Sequence, residues 1–231
     1  MINVLAGGGS AITLPTLIFL GLTGPTANGT NRVAIFLQNF SAALSFRREG
    51  RLTPRASSKL ALFTLPGAIA GAFVAARMDD ASFRIVLAVV MVGVVLSMLW
   101  PRKRKVASPG IDEAPPLLLY PVMVLIGFYG GFIQMGVGFL IMGALNGLAK
   151  FDLVATNAHK VLIVLIYTLP ALAVFVISGK VNWTFGCFLA LGNAFGGWWA
   201  ARWSVRKGEG VIRVVMVIAV GVMAAKLLGL F

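Results

Sequence analysis

Arg32 is the one charged residue in the first 46 positions, and it stands between two apolar stretches. A cation in such surroundings is costly unless it meets water, a partner or a bound anion. Two chemistries fit it. It can hold a fixed positive charge beside a cavity, where it offsets the desolvation of an anion through charge-assisted hydrogen bonds. It can also snorkel from a helix start to the interface, as long cationic side chains commonly do. Uncharged donors adjoin it, since Asn28, Thr30 and Asn31 precede an apolar run, as Thr156 and Asn157 do just ahead of Lys160, the residue equivalent to Arg32 in an internal repeat. Both clusters read as helix openings whose amides and dipole favour an anion, or as N-caps and nothing more.

The other chemistry-bearing residues are sparse. Gly7, Gly8 and Gly9, and later Gly136 and Gly138, allow either a helix break with free amides near a ligand or close helix packing. Gln134 lies in the second glycine cluster, and Gln38 and Asn39 follow Arg32; each can line a cavity or hydrogen-bond between helices. His159 is the only histidine, a candidate proton relay or an interfacial hydrogen-bonding residue. No metal-ligand spacing surrounds it, and no cofactor is implied. The single cysteine, Cys187, excludes a disulfide framework. All seven acids fall in predicted loops, which disfavours coupling through a carboxylate in the membrane.

These groups need elements that hold them, and composition names the class. The 231 residues are 59% hydrophobic and 12% charged, against about 45–50% and about 25% for a soluble globular domain. That excess has no place in a soluble fold. The net charge of +13 lies at the ends of apolar segments without interleaved aromatics or a nucleic-acid module, so membrane topology explains it better than nucleic acid does. Hydrophobic segments are expected at about 8–22, 28–46, 60–77, 83–100, 117–134, 136–149, 158–178, 183–202 and 212–230. As one straight helix, Leu117 to Ala149 would extend roughly 50 Å through a hydrocarbon core of about 30 Å. It must break, tilt or turn back, and Gly127, Gly130, Gly131, Gly136 and Gly138 mark the region.

The chain also matches itself. At an offset of 128, Gly8, Leu17, Ala27, Arg32 and Val33 fall on Gly136, Leu145, Ala155, Lys160 and Val161. At an offset of 125, Gly67, Gly71, Ala75, Ala76 and Arg77 fall on identical residues at 192, 196, 200, 201 and 202. Three basic loops (Arg47 to Lys59, Arg102 to Lys105 and Arg202 to Arg213) belong in the cytoplasm, whereas the Arg77 to Arg84 loop, equivalent to the third, is nearly neutral. Equivalent loops then lie on opposite sides, as inverted repeats require. The organisation expected is a first transmembrane repeat over 1–100, a basic cytoplasmic linker over 101–116 and a second repeat over 117–231. The first repeat reads as N-terminally short, because nothing in it answers to Leu117 to Tyr129; that segment is lost or the chain starts late.

Gly7-Gly8-Gly9-Ser10 with Leu14-Pro15, Ala27-Asn28-Gly29-Thr30-Asn31-Arg32, Gly130-Gly131 through Gly138, and Ala155-Thr156-Asn157-Ala158-His159-Lys160 together resemble the sulfite exporter TauE/SafE family of membrane permeases. The resemblance covers nearly the whole chain, and it rests on the paired recurrence of short motifs. It implies an all-α polytopic protein of the bacterial inner membrane that transports small organosulfur or related anions, often outward. Its partners would be a small anionic substrate and the bilayer. Two other classes remain: a non-transporting membrane scaffold, and an intramembrane enzyme, for which Ser10 or Ser41 with His159 lacks an evident third member.

Overall fold

The computed structural model describes residues 9–48, 54–99, 116–148 and 153–204. They form eight helices and no strand: α1 (Ser10–Phe19), α2 (Gly24–Arg48), α3 (Pro54–Arg77), α4 (Asp80–Leu99), α5 (Leu119–Phe132), α6 (Val137–Leu148), α7 (Leu153–Ile177) and α8 (Trp183–Ser204). Each overlies one of the expected segments. Gly7, Gly8, nearly all of the 101–116 linker and the 212–230 segment lie outside the described residues.

Two stretches, 58–77 in α3 and 156–177 in α7, are long and apolar enough to cross a membrane, with mean hydropathy of 1.6 and 2.5. The outward faces of other helices carry the same character. Ile85, Val89 and Leu96 on α4, and Phe188, Leu191 and Phe195 on α8, are exposed. Large apolar rows of this kind suit lipid and not water. Cys187 is exposed on the same helix, α8.

The long segment breaks as its length requires, but not where most of its glycines are. The break is the buried turn Ile133 to Gly136, with left-handed backbone at Gln134 (φ 63°) and Gly136 (φ 71°). Gly127 and Gly131 instead lie inside α5 and pack it on α3. A Cβ on Gly127 would strike the Thr64 carbonyl, and one on Gly131 the Ala68 carbonyl. Gly67 and Gly71 of α3 meet α5 backbone in return. Backbones approach this closely only where both helices lack side chains, as in small-residue packing between membrane helices.

The first polar cluster also differs from its reading as a helix opening. α2 begins at Gly24, so Asn28, Thr30 and Asn31 lie inside it. Pro25 fits the first turn of a helix, where its missing N–H costs nothing. The Thr23 carbonyl accepts the Ala27 amide, and Asp80 of α4 accepts the Gly24 amide at 2.6 Å. Thr156 and Asn157 are likewise inside α7, which starts at Leu153. On the neighbouring turn Asp79 caps α4 by accepting the Ser82 amide at 2.9 Å, and that bond holds its carboxyl below its ordinary pKa.

At the centre, α2 and α7 run antiparallel. Gly29 near the start of α2 abuts Phe175 near the end of α7, while Ile35 and Asn39 further along α2 share a cleft with Val164 and Lys160. α3 packs on α5 and α7, and α8 packs on α2.

Candidate functional site

Arg32 and Lys160 are both buried, at 0% and 2% exposure. For cations this is exceptional, because burial of an uncompensated charge costs far more than burial of a methyl group. Snorkelling accounts for neither. Among the described residues the carboxylates are Asp79 and Asp80, both at the turn between α3 and α4, where Asp80 pairs with Arg84 at 2.9 Å.

Arg32 reaches the end of α5. Its Nη2 donates to the Gly131 carbonyl, and one turn earlier Asn28 Nδ2 donates to the Phe132 carbonyl at 2.7 Å. The guanidinium lies over the Phe175 ring, 4.8 Å from its centroid. Its Nε and Nη1 have no hydrogen-bond partner, nor do Asn28 Oδ1, Asn31 Nδ2 and Ser10 Oγ nearby in sequence or on the adjoining α1. Asn31 Oδ1 accepts the Thr13 hydroxyl at 2.7 Å and so ties α1 to α2. Thr30 ties α2 to the turn before α8, since its hydroxyl accepts the Asn182 amide at 2.9 Å.

Lys160 lines a narrow cleft with Ile35, Asn39, Gln134, Val137, Gly138 and Val164. The cleft opens at the N-terminus of α6, where unpaired amides and the positive end of the helix dipole favour an anion. Gln134 is held there by its strained backbone and by a hydrogen bond that its Nε2 donates to Thr168 Oγ1 at 2.9 Å, with Oε1 left unpartnered. Lys160 Nζ lies 3.9 Å from the Met142 sulfur. At its centre the cleft has room for about one water-sized group. Thr156, Asn157 and His159 are buried on the turn of α7 before Lys160.

Of the residues singled out by sequence, the fold thus brings Asn39, Lys160, Gln134 and Gly138 into one cleft, and Arg32 with Asn28 onto the α5 end. Gly9 precedes α1, with its carbonyl bonded to Ile12 and Thr13 amides. Residues the sequence reading passed over are Tyr167, Thr168 and Phe175. Tyr167 had a signal: at the 128 offset it answers to Asn39, and its buried hydroxyl has no hydrogen-bond partner.

A family model described as sulfite exporter TauE/SafE matches residues 1–227. The chain belongs to the sulfite exporter TauE/SafE family. Similar proteins include a probable membrane transporter protein of Sinorhizobium sp., ORF9, 28% identical over 228 residues, which span 98% of this chain and 87% of that one. YfcA of Escherichia coli K12, a probable membrane transporter protein, is 28% identical over 98% of this chain and 84% of its own. YunE of Bacillus subtilis, with the same description, is 25% identical over 82% and 78%. No solved structure matches the chain. The chain is a membrane protein, as its family and the names of these relatives imply, and its helical fold with apolar outward rows agrees with that.

Proposed function

We propose that the protein is a multi-pass cell-membrane transporter of small organosulfur or related anions, such as sulfite or a sulfonate, working outward by alternating access between two inverted repeats. The observation that carries this reading is the cleft where Lys160, buried within the apolar stretch 156–177, lies beside the amide end of a broken helix. A cation and free amides together stabilise an oxyanion stripped of water. The broken helix supplies such a site without a loop exposed to lipid. The narrowness of the cleft fits a closed state, in which only an anionic head enters. An intramembrane enzyme is less supported, because Ser10, Ser41 and His159 are spread over three helices and Ser41 bonds the Ala194 carbonyl at 2.8 Å.

The direct test is flux from proteoliposomes loaded with sulfite, with methanesulfonate, or with a non-sulfur anion such as acetate. Uptake or release of the sulfur oxyanions above empty-vesicle leak is expected; leak-level flux of all three would overturn the transport reading. Topology is tested separately. In a chain with Cys187 replaced by serine, cysteines at Ser57 and Arg104 should label from the cytoplasm and one at Asp80 from outside. Labelling of all three from one side excludes the inverted arrangement.

A further inference from the structure

The break between α5 and α6 has two unlike ends, and the two buried cations are divided between them. α5 finishes at Phe132, where unpaired carbonyls and the negative end of its dipole gather, and there Arg32 donates to Gly131. α6 starts at Val137, where unpaired amides and the positive end lie, and there Lys160 shares its cleft with Val137 and Gly138. Because α2 and α7 are antiparallel and Lys160 lies alongside Asn39, the Cα atoms of the two cations are separated by roughly 10 Å along the bundle, seven residues at helical rise. Each side chain leans toward the start of its own helix, hence away from the other. A single small anion does not span both.

In transporters built on broken helices, the amide end faces an anionic group while the carbonyl end coordinates a metal cation. Here a side chain stands at the carbonyl end. We propose that Arg32 is a tethered counter-cation: its guanidinium occupies the carbonyl end of α5 and holds the break so that Lys160 and the α6 amides face the substrate anion, with no dissolved alkali cation required. This rests on the anion-transport reading and assigns the two cations different work. Lys160 binds; Arg32 is a positioning residue.

The charge itself is the point of Arg32. Hydrogen bonding to an α5 carbonyl needs no ion, since the neutral amide of Asn28 does it at Phe132. A guanidinium that is wholly buried, with Nε and Nη1 unpartnered, is an expensive substitute for such an amide. Its compensation comes from charge: the negative end of α5 and the face of Phe175 4.8 Å away.

The test uses the purified full chain. Sulfite and methanesulfonate binding is measured by calorimetry in sodium and in choline buffer. Wild-type affinity should be the same in both. Arg32→Gln should lose about tenfold or more, and regain binding with millimolar guanidinium or as Arg32→Lys. Lys160→Gln should lose binding and regain none with guanidinium. Thermal unfolding without any anion supplies a second readout: guanidinium should raise the midpoint of Arg32→Gln and not that of the wild type. A sodium requirement in the wild type, wild-type binding by Arg32→Gln, or failure of guanidinium to stabilise Arg32→Gln would each overturn the tethered-cation role. If neither anion binds the wild type while guanidinium still stabilises Arg32→Gln, the tether stands and the sulfur-anion reading fails.

Discussion

Lys160→Gln and Arg32→Gln are each expected to lower apparent substrate affinity in transport by roughly 10- to 100-fold, at membrane abundance close to wild type. A charge-assisted hydrogen bond contributes about 1.5–3 kcal/mol, and that range sets the factor. The losses arise by different routes. At Lys160 the contact to the anion goes, and with it the one side-chain cation lining the cleft beside the α6 amides. At Arg32 the α5 carbonyl end is left uncompensated, because Gln is neutral. Arg32→Lys separates charge from shape: the bond to α5 uses one nitrogen, Nη2, so a point charge should preserve most of the transport, whereas a bidentate contact would be lost. Flux is compared in vesicles with matched protein content. Wild-type flux from both glutamine variants would remove this pair from the site and direct attention to Gln134 and the turn around it.

The second large effect belongs to the α3–α5 seam. Gly127→Ala and Gly131→Ala each place a methyl group on a backbone carbonyl of α3, at Thr64 and Ala68. No rotamer relieves such a clash, so the helices must part along their length. Overpacking of this kind costs about 1–3 kcal/mol, sometimes more, and the double variant should be recovered in the membrane poorly or not at all. Gly93→Ala, Gly143→Ala and Gly147→Ala are the controls, because an added Cβ there meets nothing. Alanine favours helix over glycine by about 1 kcal/mol, so these three should be neutral or slightly stabilised. Fluorescence-detected gel filtration after heating ranks all five. Equal behaviour of the two sets would show that the seam does not limit stability.

Sequence made some of this legible and concealed the rest for physical reasons. That residues 117–149 must break follows from length against bilayer thickness, and the break is there. Its position was hidden because glycine serves two ends: Gly136 supplies a left-handed turn, whereas Gly127 and Gly131 supply a smooth face, and spacing alone does not separate turn from seam. α2 starts a turn ahead of the point its sequence suggests, because the partner of its first amide is Asp80, 56 residues away. Arg32 and Lys160 stand out as cations in apolar sequence, yet the Gly131 carbonyl that accepts from Arg32 is a backbone group and carries no mark in a sequence. Tyr167 was readable through its equivalence to Asn39; Thr168 and Phe175 are ordinary apolar-helix residues until Gln134 and Arg32 are folded against them.

The pairing of helices bears on how the chain is made. α8 packs on α2, and α3 packs on α5 and α7, so segments from the first hundred residues find their partners in the second half of the chain. Thr30 waits for Asn182, and Ser41 for Ala194, across 152 and 153 residues. During translation the early helices must therefore dwell in the bilayer with Arg32, Asn28 and the glycine face of α3 still uncovered. Coexpressed as two pieces, cut in the 101–115 region, the protein should assemble; either piece alone presents an unfinished surface to the quality-control proteases of the membrane.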